Sequence, residues 1–301
     1  MKVKMRMDRN PQAEQMADAS MIRNLAAQAN AIWPQESRLF ERYALAPNAR
    51  ILDVGCGSGE ITSRLATSYP EARLVGVDIL DGPLAYARER YAELADRLTF
   101  ERGDAFELAF EESSFDLVVC RHVTQSVPHA EKLLEELARV CKQGGWLHVL
   151  SEDYGMLHFQ ERAIDPEKLW RDGVRAYSRA TSTDERIGRK TWSFLKALGV
   201  VELSVDYAVV DTQRVSRETF AEIIRAWRDG YTGALDLHAG LEKGEVRALF
   251  DASIESILDP DAYAVWHVPI VSGRKGVRGA QFAVPPQDER SADATRPPGS
   301  P

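Results

Sequence analysis

The sequence predicts an α/β fold built on a mostly parallel sheet, and two observations carry that reading. From residue 48 onward, short apolar runs alternate with stretches of helical periodicity, the pattern of repeated strand–helix–strand units. The first run, Arg50 to Val54, passes directly into Gly55-Cys56-Gly57-Ser58-Gly59. Alternate glycines there let the backbone turn sharply and lie against a ligand without Cβ atoms in the way. At 301 residues and 44% hydrophobic, the chain can bury one large core, or a core with a cap.

The elements follow in order. Residues 1–10 are expected to fray. Pro11 to Ala31 is helical in pattern, with Met16, Ile22, Leu25, Ala26 and Ala29 near one face. Pro34 is expected to end that helix, and a second runs from Gln35 to Tyr43. The first strand, Arg50–Val54, leads through the glycine turn to a helix ending near Ser68. The second strand, Ala72–Val77, closes on Asp78, and a helix from about Gly82 to Ala95 follows. The third, Leu98–Glu101, closes near Gly103-Asp104, and the fourth is Phe115–Cys120. Leu133, Leu134, Leu137 and Val140 mark a helix from Ala130, with Gly144-Gly145 as its expected cap. The fifth strand is Trp146–Leu150. Helical stretches at 166–180 and 185–198, a sixth strand at Val200–Val210, helices near 216–229 and 240–258 and a last strand at Ala262–Val271 complete the pattern.

Spacing limits what the glycine turn holds. Dinucleotide sites use G-x-G-x-x-G, but the sixth position here is Glu60, whose charge would repel a pyrophosphate. The Gly-Lys-Ser/Thr ending of phosphate loops is also missing. The block Leu52-Asp53-Val54-Gly55-Cys56-Gly57-Ser58-Gly59 resembles motif I of the class I S-adenosylmethionine (SAM) methyltransferases. The resemblance is good over about residues 48–152 and fair over 185–210. It implies a Rossmann-like seven-stranded methyltransferase sheet of order 3-2-1-4-5-7-6, the seventh strand antiparallel, with helical cap insertions near 160–182 and 212–258. Residues 1–47 would form lid helices, 48–284 the methyltransferase domain, and 285–301 a disordered tail.

The same resemblance assigns SAM roles. Gly55, Cys56 and Gly57 would approach the methionine part through backbone atoms, with Asp53 anchoring the turn and facing the ammonium. Asp78 would accept both ribose hydroxyls, as two carboxylate oxygens suit a diol. Ile79 would pack on the adenine, Asp104 and Ala105 would meet its edge, and Arg121 would border the cofactor.

SAM brings an activated methyl group, so the protein supplies alignment and, where needed, a base. The segments Arg121–Ser126 and Ser151–Gly155 lie beyond strands four and five and offer His122, Glu152 and Asp153 as catalytic candidates. His158 and His238 are further bases, in cap segments. Ser151-Glu152-x-x-Gly155 with Glu161 also resembles the double-glutamate loop of protein-arginine methyltransferases, but it follows the fifth strand rather than the fourth. There is no Asp/Asn-Pro-Pro-Tyr/Phe motif, no catechol-type metal cluster and no metal-ligating cysteine spacing. A net charge of −8 argues against nucleic acid as the main partner. Three scattered cysteines fit a reducing cytoplasm, and no run approaches a membrane span. The expected protein is a cytoplasmic methyltransferase acting on a small-molecule substrate at N, O or C, with a homodimer left open. Protein or RNA methylation, and SAM binding without catalysis, are the alternatives.

Overall fold

The computed structural model describes residues 9–160 and 163–277. Most of the expected frayed start, Glu161 and the tail from Pro285 lie outside the described residues. Helices α1 (Ala13–Met16) and α2 (Ala19–Glu41) precede β1 (Arg50–Val54), α3 (Glu60–Ser68), β2 (Arg73–Asp78) and α4 (Asp81–Arg90). Next come β3 (Leu98–Arg102), β4 (Phe115–Arg121), α5 (Ala130–Val140), β5 (Cys141–Leu150) and β6 (Leu157–Phe159). A π-helical turn, Leu169–Val174, leads into α6 (Arg175–Thr181), and α7 (Gly188–Ala197), β7 (Val200–Asp211), α8 (Arg217–His238), α9 (Glu245–Leu258) and β8 (Ala264–Lys275) complete the order.

The main sheet runs β3-β2-β1-β4-β5-β8-β7, with β1 to β5 parallel and β8 antiparallel to both its neighbours. This is the expected order, since β7 and β8 are the sixth and seventh strands of the sequence reading. The short β6 is an addition. It pairs with Ala264–Trp266 of β8, along the edge whose Ile270–Arg274 pairs with β5. Strands β5 and β6 are thus one interrupted edge, and residues 151–156 bulge out of it.

Alternation along the strands sends side chains to two faces. Ile51, Leu74, Leu117 and Val119 pack against Leu65 of α3 and Leu84 of α4. Leu52, Val77, Val118 and Val149 pack against Leu133, Leu134 and Leu137 of α5 and Leu195 of α7. A third cluster joins α2, α8 and α9 over the far end of the sheet, through Ile32, Ile223, Trp227, Phe250 and Trp266.

The structure corrects three local expectations. Pro34 does not end the first helix: α2 passes through it to Glu41, starting from Asp18, whose carboxylate accepts from Ser20 N at 2.8 Å. Pro34 and Asn30, whose carbonyl loses its helical partner, both lie on the exposed side, where water replaces the bond. Gly144-Gly145 does not cap α5, which ends at Val140. The glycines lie inside β5, where the pairing with β4 shifts register between Phe115 and Leu117. The helix expected near 216–229 continues to His238, its inner face held by Phe220, Ile224 and Leu235.

Candidate functional site

The carboxyl ends of β1 to β4 open on one side of the sheet, where ligands gather in such folds. A cavity of about 850 Å³, counting its mouth, lies there and is lined by Gly55, Gly57, Asp78, Ile79, Gly103, Asp104, Ala105 and Arg121. Its floor needs glycine. Gly55 and Gly57 have φ of +75° and +51°, and a Cβ on them would lie 2.2 Å from Val123 Cγ2 and 2.6 Å from Leu25 Cδ1. The turn's backbone N–H groups are largely engaged within the protein. Gly55 N and Cys56 N both donate to Val77 O, at 2.7 and 3.1 Å, and Gly57 N donates to Asp78 Oδ2 at 2.9 Å. The turn is fastened to β2, so it meets a ligand by shape and leaves the polar recognition to side chains.

Those side chains are mostly carboxylates. Asp53 is 2% exposed and accepts from Thr62 Oγ1 at 2.7 Å. Burial pushes its carboxyl up to about 6, against the Thr62 bond and the Arg121 charge. With Cys56, Arg121 and His122, Asp53 lines a small extension of the cavity beside the glycine turn. Asp78 accepts from Gly57 N and Leu80 N, and burial raises its carboxyl against these backbone bonds. Asp104 accepts from Phe106 N at 2.9 Å and meets Arg9 Nη1 at 3.3 Å. Its carboxylate therefore braces an Asx turn as well as lining the cavity.

Helix α2 supplies what the sequence reading missed. Glu36 is fully buried, 2.7 Å from Arg121 Nε and 2.9 Å from His148 Nε2, and Tyr43 Oη lies 2.6 Å from His148 Nδ1. Burial alone would raise the Glu36 carboxyl, but the Arg121 charge and the His148 bond overrule it and hold it down to about 2. Arg121 Nη2 has no partner and is buried, so one donor of a fixed guanidinium is left at the cavity wall. Arg38 of the same helix lines an outer groove with Arg214.

A second cavity, about 670 Å³, adjoins the first and shares Met16, Leu25, His122 and Ser126 with it. His122 stands at the junction with φ +56°. Its Nδ1 is 2.7 Å from Glu152 Oε1, while Nε2 is buried without a partner. Glu152 Oε2 accepts from the Tyr154 hydroxyl. Burial and the adjacent Glu152 charge push that phenol well above its ordinary range, so it stays protonated as a donor. Nδ1–H directed at the carboxylate leaves the Nε2 lone pair facing the junction. The imidazole is thus arranged as a base oriented by an acid.

The candidates separate accordingly. His122 and Glu152 come together between the cavities. Asp153 does not join them: it is buried and paired with Arg189 Nε and Nη2 at 2.5 and 2.8 Å, and also accepts from Gly155 N. In an extended segment successive side chains point to opposite sides, so Glu152 faces the cavities and Asp153 clamps the bulge to α7. His158 and His238 are exposed and line neither cavity. The other missed residues are Asn24 and Gln28 of α2, and Gln125, which line the second cavity. Asn24 and Gln28 fall among apolar neighbours in a helix that is otherwise amphipathic, which is the signal that marks them.

Residues 52–149 match a family model described as a methyltransferase domain. Trans-aconitate 2-methyltransferase of Methylobacterium nodulans is 41% identical over 115 residues, 38% of this chain and 43% of that protein. The chain spans about half or less of the length of the first such curated relatives it matches. Among solved structures, phosphoethanolamine N-methyltransferase 2 of Haemonchus contortus, in complex with S-adenosyl-L-methionine, superposes with a TM-score of 0.54 at 20% identity. The match covers 85% of this chain and 56% of that one. The [4+2]-cyclase SpnF superposes with a TM-score of 0.50 at 22% identity, over 83% and 84% of the two chains. At these identities the superpositions show a shared fold, which hosts more than one chemistry.

Proposed function

We propose, from the premise that residues 52–149 form a class I SAM-dependent methyltransferase domain, that this protein transfers a methyl group from SAM to a small molecule. The observation that carries the reading is the junction of two adjoining cavities at His122: one is lined by the glycine turn and the acids that would hold SAM, and the other has an aromatic wall with a few polar side chains. Asp78 would hold the ribose diol, and Ile79, Asp104 and Ala105 would border the adenine. Asp53 would face the ammonium, and Arg121 Nη2 is the free donor for the carboxylate. A Cβ at Gly55 or Gly57 would collide with Val123 or Leu25, which line the same cavity. When bound, SAM supplies an electrophilic methyl on a sulfonium leaving group.

The remaining work falls to the protein. Residues of α1 and α2 close over both cavities: Gln12 Oε1 accepts from Tyr231 Oη at 2.9 Å, and Met16 borders each cavity. Exclusion of water there strengthens every electrostatic contact at the junction. His122 Nε2 takes a proton from the acceptor, and Glu152 holds the ring and offsets the charge it gains. Glu152 and Tyr154 sit on the bulge between β5 and β6, which the pairing with β8 fixes at both ends.

Isothermal titration of the full chain with SAM and S-adenosylhomocysteine (SAH) tests the reading. Binding of both is expected, with loss of at least tenfold in affinity in Asp78→Ala. Absence of binding, or a cyclase-like turnover that needs no SAM, sinks it.

A further inference from the structure

We propose that the methyl acceptor is an uncharged aromatic compound bearing more than one hydroxyl group, selected by the side-chain amides of Asn24, Gln28 and Gln125. This rests on the methyltransferase reading above and names the substrate class of the second cavity.

Three features of that cavity converge. Its wall is aromatic: Tyr154, Trp170 and Trp227 contact one another with ring centroids 5.4 to 5.7 Å apart, and Phe250 stands edge-on to Trp170. Flat apolar rings of a ligand pack well on such a surface. It also carries buried polar atoms without partners: the acceptors Asn24 Oδ1, Gln28 Oε1, Gln125 Oε1 and His122 Nε2, and the donor Trp170 Nε1. The Gln28 amide has its orientation set by its neighbour, since Nε2 lies 3.5 Å from Glu152 Oε1. Unpaired buried acceptors are costly, so the complementary ligand brings several O–H donors.

Charge excludes the other classes. Among the described residues, no lysine or arginine lines the cavity. A carboxylate or phosphate would be buried without a counter-charge and would face three amide oxygens. The single carboxylate, Glu152, already accepts from Tyr154 on one oxygen and meets His122 and Gln28 on the other. An ammonium ion would have to compete with Tyr154, His122 and Gln28 for that one carboxylate.

The chemistry balances with one hydroxyl directed at His122. That O–H gives its proton to Nε2, the oxygen forms a bond to the methyl carbon, and the carbon–sulfur bond breaks with its electron pair left on sulfur. The products are an aryl methyl ether and the neutral thioether SAH, and the imidazolium returns its proton to water as the site opens.

The test uses the full chain saturated with SAH and follows quenching of the wall tryptophans by matched probes. These are 2,7-dihydroxynaphthalene, 6-hydroxy-2-naphthoic acid, 2-(aminomethyl)naphthalene as its ammonium ion, and naphthalene. The diol is expected to bind saturably, and the naphthoate and the ammonium at least about tenfold more weakly. Asn24→Leu and Gln125→Met should each weaken the diol about fivefold while leaving naphthalene and SAH binding unchanged, which also reports that the variants fold. Failure of the diol to bind, equal or tighter binding of either ion, or a diol affinity indifferent to both substitutions overturns the proposal. Failure of SAH to bind in the parallel calorimetry overturns the methyltransferase reading instead.

Discussion

His122 occupies a left-handed backbone conformation that a non-glycine residue adopts at a cost. Its N–H bond to Leu150 O at 3.0 Å and its ring bond to Glu152 hold it there, which points Nε2 at the cavity junction. His122→Ala and Glu152→Gln are therefore expected to lower kcat by about 100-fold or more while SAH affinity changes less than about twofold; kcat measured beside calorimetry checks this. Asp53 makes a prediction about acidity. Its carboxyl lies near 6 in the folded chain against an ordinary 3.8. Between those values the folded chain holds a proton that the unfolded chain lacks, so stability falls as pH rises through the window. A bound ammonium favours the ionised form. SAM affinity should strengthen as pH rises to about 6 and level off above it, and Asp53→Asn should bind more weakly with that dependence removed, as calorimetry at several pH values would show.

At the level of the elements, local signals were legible where a short segment decides its own conformation. The runs that became β1, β2 and β4 are mostly buried on both faces, so they read as near-continuous apolar segments, while β3 at the sheet edge alternates, and Gly55-Cys56-Gly57 read as a ligand turn. The turn's hydrogen bonding was not legible, because Val77 O and Asp78 belong to the neighbouring strand. Gly55→Ala is expected to remove SAM binding, since its Cβ would overlap Val123 and its φ is unfavourable for alanine; calorimetry on the folded variant tests this. Pro34 was misread because proline's local preference for ending helices was opposed by packing on both sides of it, at Ala31, Ile32, Glu36 and Phe40. Exposed Pro34 still lacks a backbone donor, so Pro34→Ala should raise stability by about 1–3 kcal/mol, read as a higher denaturant midpoint.

Across the whole molecule, the buried chain Arg121–Glu36–His148–Tyr43 ties the lid helix to β4 and β5. Removing one partner strands the others, so Glu36→Gln is expected to destabilise the protein by about 3–5 kcal/mol, measured by urea unfolding. Glu36 is held below its ordinary value, to about 2, so its contribution is fully present above about pH 4.5 and is lost as pH falls through that window. The acid limb of the unfolding curve should flatten in the variant. The amino-acid sequence by itself marked the strands, the glycine turn and the acids at the ends of the next two strands, because each depends on residues within a few positions of one another; the sheet order followed only from the family resemblance that those residues carry. The sequence also offered His122 and Glu152, but as two candidates among five. Only the tertiary structure paired them, turned Asp153 away to Arg189, and carried Asn24 and Gln28 of α2 to the second cavity and Glu36 to Arg121. Those outcomes depend on contacts between residues 30 to more than 100 positions apart, whose energies arise only when strands, bulge and lid helix are brought together.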